Sequence, residues 1–229
     1  SSGERIELGN KFYLNALGSI ALESADPVTH DVASGLENIY YSIDAAPASK
    51  YIAAFGLGEG VRTLNYSAKD NVANTEVVKS TVIYADGTKP VSELSLSGDQ
   101  YRGDKQYVSQ RTDIIITAAD PVMNNVSAGV KETKYAVDGG TFNDYSQFKL
   151  SVEGRRLVSF YSADHVNNTE AVKTAELWVD DTAPLSMLNV IGGKQYPGTA
   201  AGSFYASMDS KFGFTAEDPA VGGGAAGVK

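Results

Sequence analysis

The chain has 229 residues, a formal net charge of −9 at pH 7 and no cysteine. The acidic balance, without any run rich in lysine or arginine, disfavours a nucleic-acid partner, because phosphate binding needs a basic surface. The lack of cysteine excludes disulfides, thiol catalysis and cysteine-ligated metals. No apolar run approaches the roughly 20 residues that a membrane-spanning helix needs, so we predict no membrane insertion.

The dominant feature is an internal repeat with an offset of 94 positions. Residues 11–90 align with residues 105–184 without a gap, and 25 of the 80 aligned pairs are identical. A third copy begins near Tyr205 and is still incomplete at Lys229. We therefore expect the chain to be a segment of a longer protein. The predicted units are unit 1 (residues 1–86), unit 2 (residues 87–181) and the incomplete unit 3 (residues 182–229).

Short apolar runs with β-branched and aromatic residues predict strands, and no stretch has the periodicity of an amphipathic helix. In chain order these runs are residues 61–68, 91–96, 114–119, 157–161, 175–179 and 185–191. Asp138-Gly139-Gly140 predicts a tight hairpin turn, whereas the equivalent Asp44-Ala45-Ala46 lacks glycine and leaves its turn type open. The pattern predicts an all-β chain of tandem Ig-like or fibronectin-III-like antiparallel β-sandwiches.

Two similar segments separate the units. Asp86-Gly87-Thr88-Lys89-Pro90 and Asp180-Asp181-Thr182-Ala183-Pro184 each lie between the last strand of one unit and the first of the next. Proline fixes its own φ and keeps the preceding residue extended, so both segments are predicted to be short, stiff joints.

Four signatures recur in the same order in units 1 and 2. They are Tyr-x-Ile/Val-Asp (41–44 and 135–138), a later tyrosine (51 and 145), Asn-Thr-Glu (74–76 and 168–170) and Asp-x-Thr-x-Pro at the joints. Together they resemble tandem bacterial Ig-like repeats, especially those named as outer-membrane-protein β-barrel-type repeats. The resemblance implies surface-exposed or secreted multidomain proteins in which such modules form stalks or adhesive segments. Ala73 and Asn167 stand where that family usually has glycine, and alanine adopts a left-handed backbone poorly.

A repeated loop carries candidate metal ligands. It places Asp70, Asn74 and Glu76 in unit 1, and Asp164, Asn168 and Glu170 in unit 2. Oxygen ligands of this kind suit Ca²⁺, which takes 6–8 of them. The alternative is that Asp70 and Asp164 accept hydrogen bonds from turn amides.

A second candidate cluster lies at the joints. There Asp86, or Asp180 and Asp181, could meet Asp120 or Asp218 of the following unit, and a calcium ion between them would stiffen the joint.

Aromatic residues are the candidates for ligand contact. Tyr40 and Tyr41 are adjacent in a predicted strand and must face opposite sides, so one of them is expected to be exposed to a glycan or a protein receptor. Trp178 aligns with Tyr84, which favours a core or half-buried position over a sugar-binding one.

Catalytic signatures are lacking, and we predict that the chain is not an enzyme. Neither His30 nor His165 recurs between units, and the glycine-rich segment 56–60 precedes a predicted strand instead of the helix that a phosphate-binding loop requires.

The sequence thus predicts a non-catalytic structural or adhesive segment of a larger bacterial protein, extracellular or at the cell surface. The export signal is expected outside this segment. Expected partners are other domains of the same chain, a glycan or protein receptor, or further copies paired through exposed edge strands into fibres. The alternatives are a glycan- or protein-binding module and an accessory domain of a carbohydrate-active enzyme.

Overall fold

A computed structural model describes residues 5–228, which form 18 β-strands and no helix. The outer ends of units 1 and 3, residues 1–4 and 229, lie outside the described residues. Within the described range there is accordingly no helix that could cross a membrane.

The strands divide among the units as follows. Unit 1 contains β1 (Arg5–Leu8), β2 (Lys11–Asn15), β3 (Leu36–Ile43), β4 (Ser49–Lys50), β5 (Gly60–Asp70) and β6 (Lys79–Asp86). Unit 2 contains β7 (Val91–Ser97), β8 (Gln100–Arg102), β9 (Gln106–Val108), β10 (Asp113–Ala119), β11 (Val130–Val137), β12 (Asn143–Asp144), β13 (Gly154–Asp164) and β14 (Lys173–Val179). Unit 3 contains β15 (Leu185–Ile191), β16 (Gln195–Pro197), β17 (Phe204–Ala206) and β18 (Lys211–Glu217).

Unit 2 has two sheets. The larger has the order β12-β11-β13-β14-β9-β8, and the smaller pairs β7 with β10. Neighbours are antiparallel except β9 and β14, which run parallel. Phe148 bridges to Ile114 and extends the smaller sheet by one segment. A sheet with β11, β13 and β14 side by side, facing one made of the first two long strands, is the arrangement of an Ig-like sandwich. The predicted fold class is confirmed.

The core of unit 2 lies between these sheets. Inward side chains of β10 (Ile114 and Ile116) pack against alternate residues of β13 (Val158 and Phe160) and against Leu177 of β14. They are spaced two apart because successive side chains of a strand point to opposite faces. The period-two pattern in the sequence therefore marks the residues that the core buries.

Unit 1 repeats the larger sheet, with the order β1-β2-β6-β5-β3-β4 and a parallel pair of β2 and β6. The counterpart of β7 would fall outside the described residues. The second layer described for unit 1 is therefore the segment around Ile20 and Leu22, held to Phe55 by a bridge at Ile20. Beside it, Leu64 and Tyr66 line an apolar groove that remains open.

Unit 3 contains only paired strands, β15 with β18 and β16 with β17. Apolar side chains of β15 and β18, such as Met187 and Phe214, are exposed. Within the described range there is no larger sheet for them to pack against.

A two-residue turn in the left-handed conformation recurs after each Asp-Pro. Its central residues are His30 and Asp31, then Asn124 and Asn125, then Gly222 and Gly223, all with φ between 48° and 79°. Each turn is closed by a bridge between its flanking residues. The sequence did not reveal this turn, because only its third copy carries the two glycines that favour positive φ.

The turns at Asp44 and Asp138 share a left-handed first central residue but differ in the second, because Gly139 has φ 74° whereas Ala45 does not have a positive φ. Asp44 has φ 54°, close to the 52° of Asp138, and its carboxylate accepts a hydrogen bond from Thr63 N at 2.9 Å. Asp138 accepts from Leu157 N in the same way at 2.8 Å. Aspartate tolerates the left-handed region and its carboxylate pins the facing strand, so the first turn closes without glycine.

Ala73 adopts φ 73° where unit 2 has Asn167 at φ 62°. A left-handed backbone costs an L-residue about 1–2 kcal/mol, and glycine avoids this cost. Glycine also gives the unfolded chain more conformational freedom, which offsets part of the stability gained by the substitution. We expect Ala73→Gly to raise the free energy of unfolding of unit 1 by about 1 kcal/mol, measured by urea denaturation. Asn167→Ala is the matched change in unit 2 and should be destabilising. A loss of stability in Ala73→Gly would contradict the left-handed assignment.

Candidate site at the joint between units 1 and 2

An apolar cluster lies between units 1 and 2. Tyr13 of β2 contributes from unit 1, with Tyr84 of β6 packed beside it, and the two rings lie 5.3 Å apart. Val126, Ala128 and Val166 contribute from unit 2. The joint therefore has a small core of its own.

Comparison of equivalent residues in the two units shows which side chains of unit 2 are covered by unit 1. Val126 and Val166 are each 1% exposed, whereas their counterparts Val32 and Val72 in unit 1 are 71% and 66% exposed. The local sequences are equivalent, so the difference comes from the neighbouring unit and not from the loops themselves. We call the surface containing Val32 and Val72 the head face of unit 1.

Hydrogen bonds cross the joint beside this cluster. Asp86, the last residue of β6, accepts from Ala128 N through Oδ2 at 2.5 Å, and its carbonyl accepts from Asn168 Nδ2 at 3.1 Å. Asn15 Nδ2 donates to Val166 O and to Asn168 Oδ1, both at 2.9 Å. Both partners of each bond are partly or fully shielded from water, which favours one relative placement of the units.

The linker threonine is tied back to the preceding unit. Thr88 Oγ1 donates to Glu59 at 2.6 Å, and Thr182 Oγ1 donates to Glu153 at 2.9 Å. At the second joint Asp180 Oδ2 accepts from Ala226 N at 2.6 Å, the same contact that Asp86 makes with Ala128. The aspartate and threonine of the Asp-x-Thr-x-Pro signature thus make equivalent hydrogen bonds at both joints.

Three carboxylates come together at the first joint. Asp86, Asp120 and Asp164 each offer one oxygen within 4.8 Å of the others, and we call them the joint cluster. Asp86 ends β6, Asp120 follows β10 and Asp164 ends β13. The two halves of the cluster therefore come from different units. Asp86 and Asp164 are both 0% exposed.

Backbone and side-chain donors hold each carboxylate in place. Asp164 accepts from Val166 N and Asn168 N through Oδ1, and from Asn168 Nδ2 through Oδ2. Asp120 Oδ2 accepts from Gly129 N and from Ser127 Oγ, both at 2.8 Å. Asp120 Oδ1 is shielded from water and has no hydrogen-bond donor among the described residues.

Burial opposes the ionisation of Asp86 and Asp164. Burial raises the pKa of Asp86 and outweighs the hydrogen bonds from the amides of Ala128 and Thr88, which lower it. The charges of Asp120 and Asp164 raise this pKa further. Burial likewise raises the pKa of Asp164, although Asn168 and Val166 donate to it. No lysine, arginine or histidine in the described range forms an ion pair with any of the three.

Asp70 shows the same loop without a neighbouring unit. It accepts from Val72 N, Asn74 N and Asn74 Nδ2, as Asp164 does from its own loop. Burial opposes its ionisation too, but here the bonds from Asn74 outweigh it and the pKa is lowered. The loop alone therefore stabilises the charged carboxylate, and it is the joint that reverses the shift at Asp164.

The glutamates of the predicted calcium loops have other contacts. Glu170 accepts from Ser162 N and from the amide and hydroxyl of Ser92, and it pairs with Lys173 Nζ at 2.9 Å. Glu76 accepts from Ala68 N at 3.2 Å and pairs with Lys79. The structure thus brings Asp164 together with Asp86 and Asp120, and engages Glu170 with β7 and β13. Asp86 and Asp120 meet as predicted, and calcium binding stays a prediction.

The two candidate tyrosines lie on opposite faces of β3, as their adjacency requires. Tyr41 stacks on Phe55 with ring centroids 4.2 Å apart and packs against the core of unit 1. Tyr40 is half-buried on the other face, with Lys50 Nζ 5.9 Å from its ring centre. A contact surface on this strand would therefore use Tyr40. Trp178 is half-buried, with Lys105 Nζ 3.5 Å from its ring centre.

The fold and this joint define the chain as a tandem array of Ig-like β-sandwiches. The chain matches no protein-family model. A search of the curated proteins likewise gave no match. Among solved structures it is similar to the fibronectin(III)-like modules of Clostridium thermocellum CbhA, with 15% sequence identity and a TM-score of 0.35. The match covers 78% of this chain and 86% of that chain.

Proposed function

We propose that the chain is a non-catalytic structural segment, in which successive sandwiches are joined at fixed angles to space or display other parts of a longer protein. One observation carries the proposal. The contact of a joint aspartate with an amide of the next unit occurs twice, as Asp86 with Ala128 and as Asp180 with Ala226. A repeated joint is what an array with a defined course requires.

The joint is short as well as repeated. Residues 87–90 connect β6 to β7, and Pro90 within them is fully buried. A linker of this length with a buried proline has little freedom, and the apolar cluster around Tyr13 and Val166 adds contacts that a flexible tether would lack.

The head face of unit 1 supports an array that extends further. Val32 and Val72 repeat the residues that unit 1 covers on unit 2, and they are exposed. We propose another sandwich of the same kind, in the same long chain, as its partner. The sequence resemblance to bacterial Ig-like repeats supports an extracellular or cell-surface location.

Spin labels test the fixed joint. The chain has no cysteine, so Ile52→Cys in unit 1 and Asn143→Cys in unit 2, both exposed, give two unique labelling sites. Double electron–electron resonance on the whole chain should give one narrow distance distribution.

Two matched variants locate the cause of that narrow distribution. Val166→Ser removes an apolar contact at the joint and should broaden the distribution, whereas Val72→Ser changes the equivalent exposed valine and should leave it unchanged. A broad distribution in the parent chain would contradict the proposal. Binding of this chain on a glycan array would favour the binding-module alternative.

A further inference from the structure

We propose that Asp86, Asp120 and Asp164 form a divalent-cation site, with calcium as the preferred ion, that exists only where two sandwiches meet. The inference rests on the proposed function, since the ion would hold the joint that the array needs. The ion would bridge the two units, because the cluster takes one carboxylate from unit 1 and two from unit 2.

Charge is the first argument. Three carboxylates lie within 4.8 Å of one another, two of them are fully buried, and no basic side chain of the described chain pairs with them. Buried charges are normally paired or bound to a metal, because water no longer stabilises them. A divalent cation supplies the missing positive charge.

An orphaned oxygen is the second and independent argument. Asp120 Oδ1 is shielded from water yet has no donor among the described residues, although Oδ2 of the same carboxylate has two. Asp218, its counterpart at the second joint, repeats this, with Oδ2 bonded to Gly227 N and Oδ1 shielded without a donor. Buried carboxylate oxygens are rarely left without a partner, and a bound metal ion would be that partner.

The ligand set favours calcium. All three side chains are carboxylates, with no histidine or cysteine in the cluster, which disfavours zinc and copper. Carboxylates bind Ca²⁺ through one or both oxygens, so three of them supply three to six of the 6–8 oxygens it takes. Mg²⁺ demands stricter octahedral geometry and keeps more water.

The repeat predicts how many ions bind. Asp26 and Asp70 in unit 1 are the counterparts of Asp120 and Asp164, but the described residues hold no third carboxylate beside them. At the second joint, the described residues place no third carboxylate with Asp180 and Asp218. We therefore expect one site in this chain, whereas binding by the Asp-Asn-Glu loops would give two.

Calorimetric titration of the chelator-treated whole chain with CaCl₂, and separately with MgCl₂, tests this. We expect one calcium ion per chain, weaker binding of magnesium, and a melting temperature at least about 5 °C higher in saturating calcium than in chelator. Two equivalent ions would assign calcium to the loops and overturn the joint site. An absence of binding up to about 10 mM calcium would overturn it as well.

Charge-neutralising variants separate metal binding from a structural role. Asp120→Asn should weaken calcium binding at least about 100-fold, and the matched Asp26→Asn in unit 1 should leave it unchanged. In chelator, Asp120→Asn should melt no lower than the parent chain, because it removes one of three crowded negative charges. If the Asp120 carboxylate had only a structural role, Asp120→Asn would have a lower melting temperature than the parent chain in chelator and in calcium alike. That result would contradict the proposal.

Terbium luminescence needs no variant and covers the case in which Asp120→Asn does not fold. Tyr13 and Tyr84 lie in the apolar cluster of this joint, so Tb³⁺ in the site should show tyrosine-sensitised emission that calcium displaces. Emission that calcium leaves unchanged would count against the site.

Combining titration with spin-label distances separates this inference from the proposed function. A narrow distance distribution in a chain that does not bind calcium would rule out the cation site but not the fixed array. A broad distance distribution in the calcium-bound chain would rule out the fixed array but not the cation site.

Discussion

Phe160→Ala is expected to lower the free energy of unfolding of unit 2 by about 3–5 kcal/mol, the usual effect of emptying a buried aromatic position. Phe160 is buried between the two sheets of unit 2, in the same core cluster as Ile114 and Val158. Urea denaturation, with hydrogen exchange to assign the change to residues of unit 2, measures it.

The matched change is Tyr66→Ala in unit 1. Tyr66 is the counterpart of Phe160 but lies half-buried at the open groove, so its removal leaves no closed cavity. We expect a loss of about 1–2 kcal/mol, confined to unit 1. Equal losses in the two variants would mean that the second layer of unit 1 is as closed as that of unit 2.

Glu170→Gln is expected to cost unit 2 about 2 kcal/mol at pH 7, because it weakens charge-assisted bonds to a carboxylate that is 7% exposed. That carboxylate links Ser92 on β7 to Ser162 on β13, and so ties one sheet to the other. Urea unfolding at pH 7 and at pH 3 measures the effect. Glu76→Gln is the control, and its smaller effect should reflect a carboxylate that is 35% exposed and has no such link.

The pH dependence has a definite sign. Burial opposes the ionisation of Glu170, but bonds from Ser92 and Lys173 outweigh it and hold its pKa below the usual 4.5. A carboxylate with a lowered pKa contributes stability above its unfolded-state pKa, and loses that contribution as the pH falls through the folded one. The difference between Glu170→Gln and the parent chain should therefore shrink below pH 4.5. A difference that persists at pH 3 would attribute it to packing instead of charge.

Strands were predictable because their signal is local. The runs at 157–161 and 175–179 lie within β13 and β14, and the runs at 91–96 and 185–191 lie within β7 and β15. The short strands β8 and β9 gave no such signal, since three residues are too few to show an alternating pattern.

The joint was only half predictable, for a physical reason. Val72 and Val166 occupy equivalent positions in loops of similar sequence, and so do Asp70 and Asp164, yet only one of each pair is buried. Burial here is decided by the neighbouring unit, which no local pattern encodes. The approach of Asp86 to Asp120 follows from the order of the repeats, but the arrival of Asp164 beside them depends on how the loop after β13 meets the end of β6.

The parallel pairs β2–β6 and β9–β14 determine how the units would bear tension. In each unit one strand of the pair lies near the start of the unit and the other at its end, so a pull on the chain draws two parallel strands past each other along their length. All the hydrogen bonds of the pair are then loaded together instead of opening one at a time. The pair spans four residue positions in unit 1 and two in unit 2, so the load on this pair is shared among fewer hydrogen bonds in unit 2.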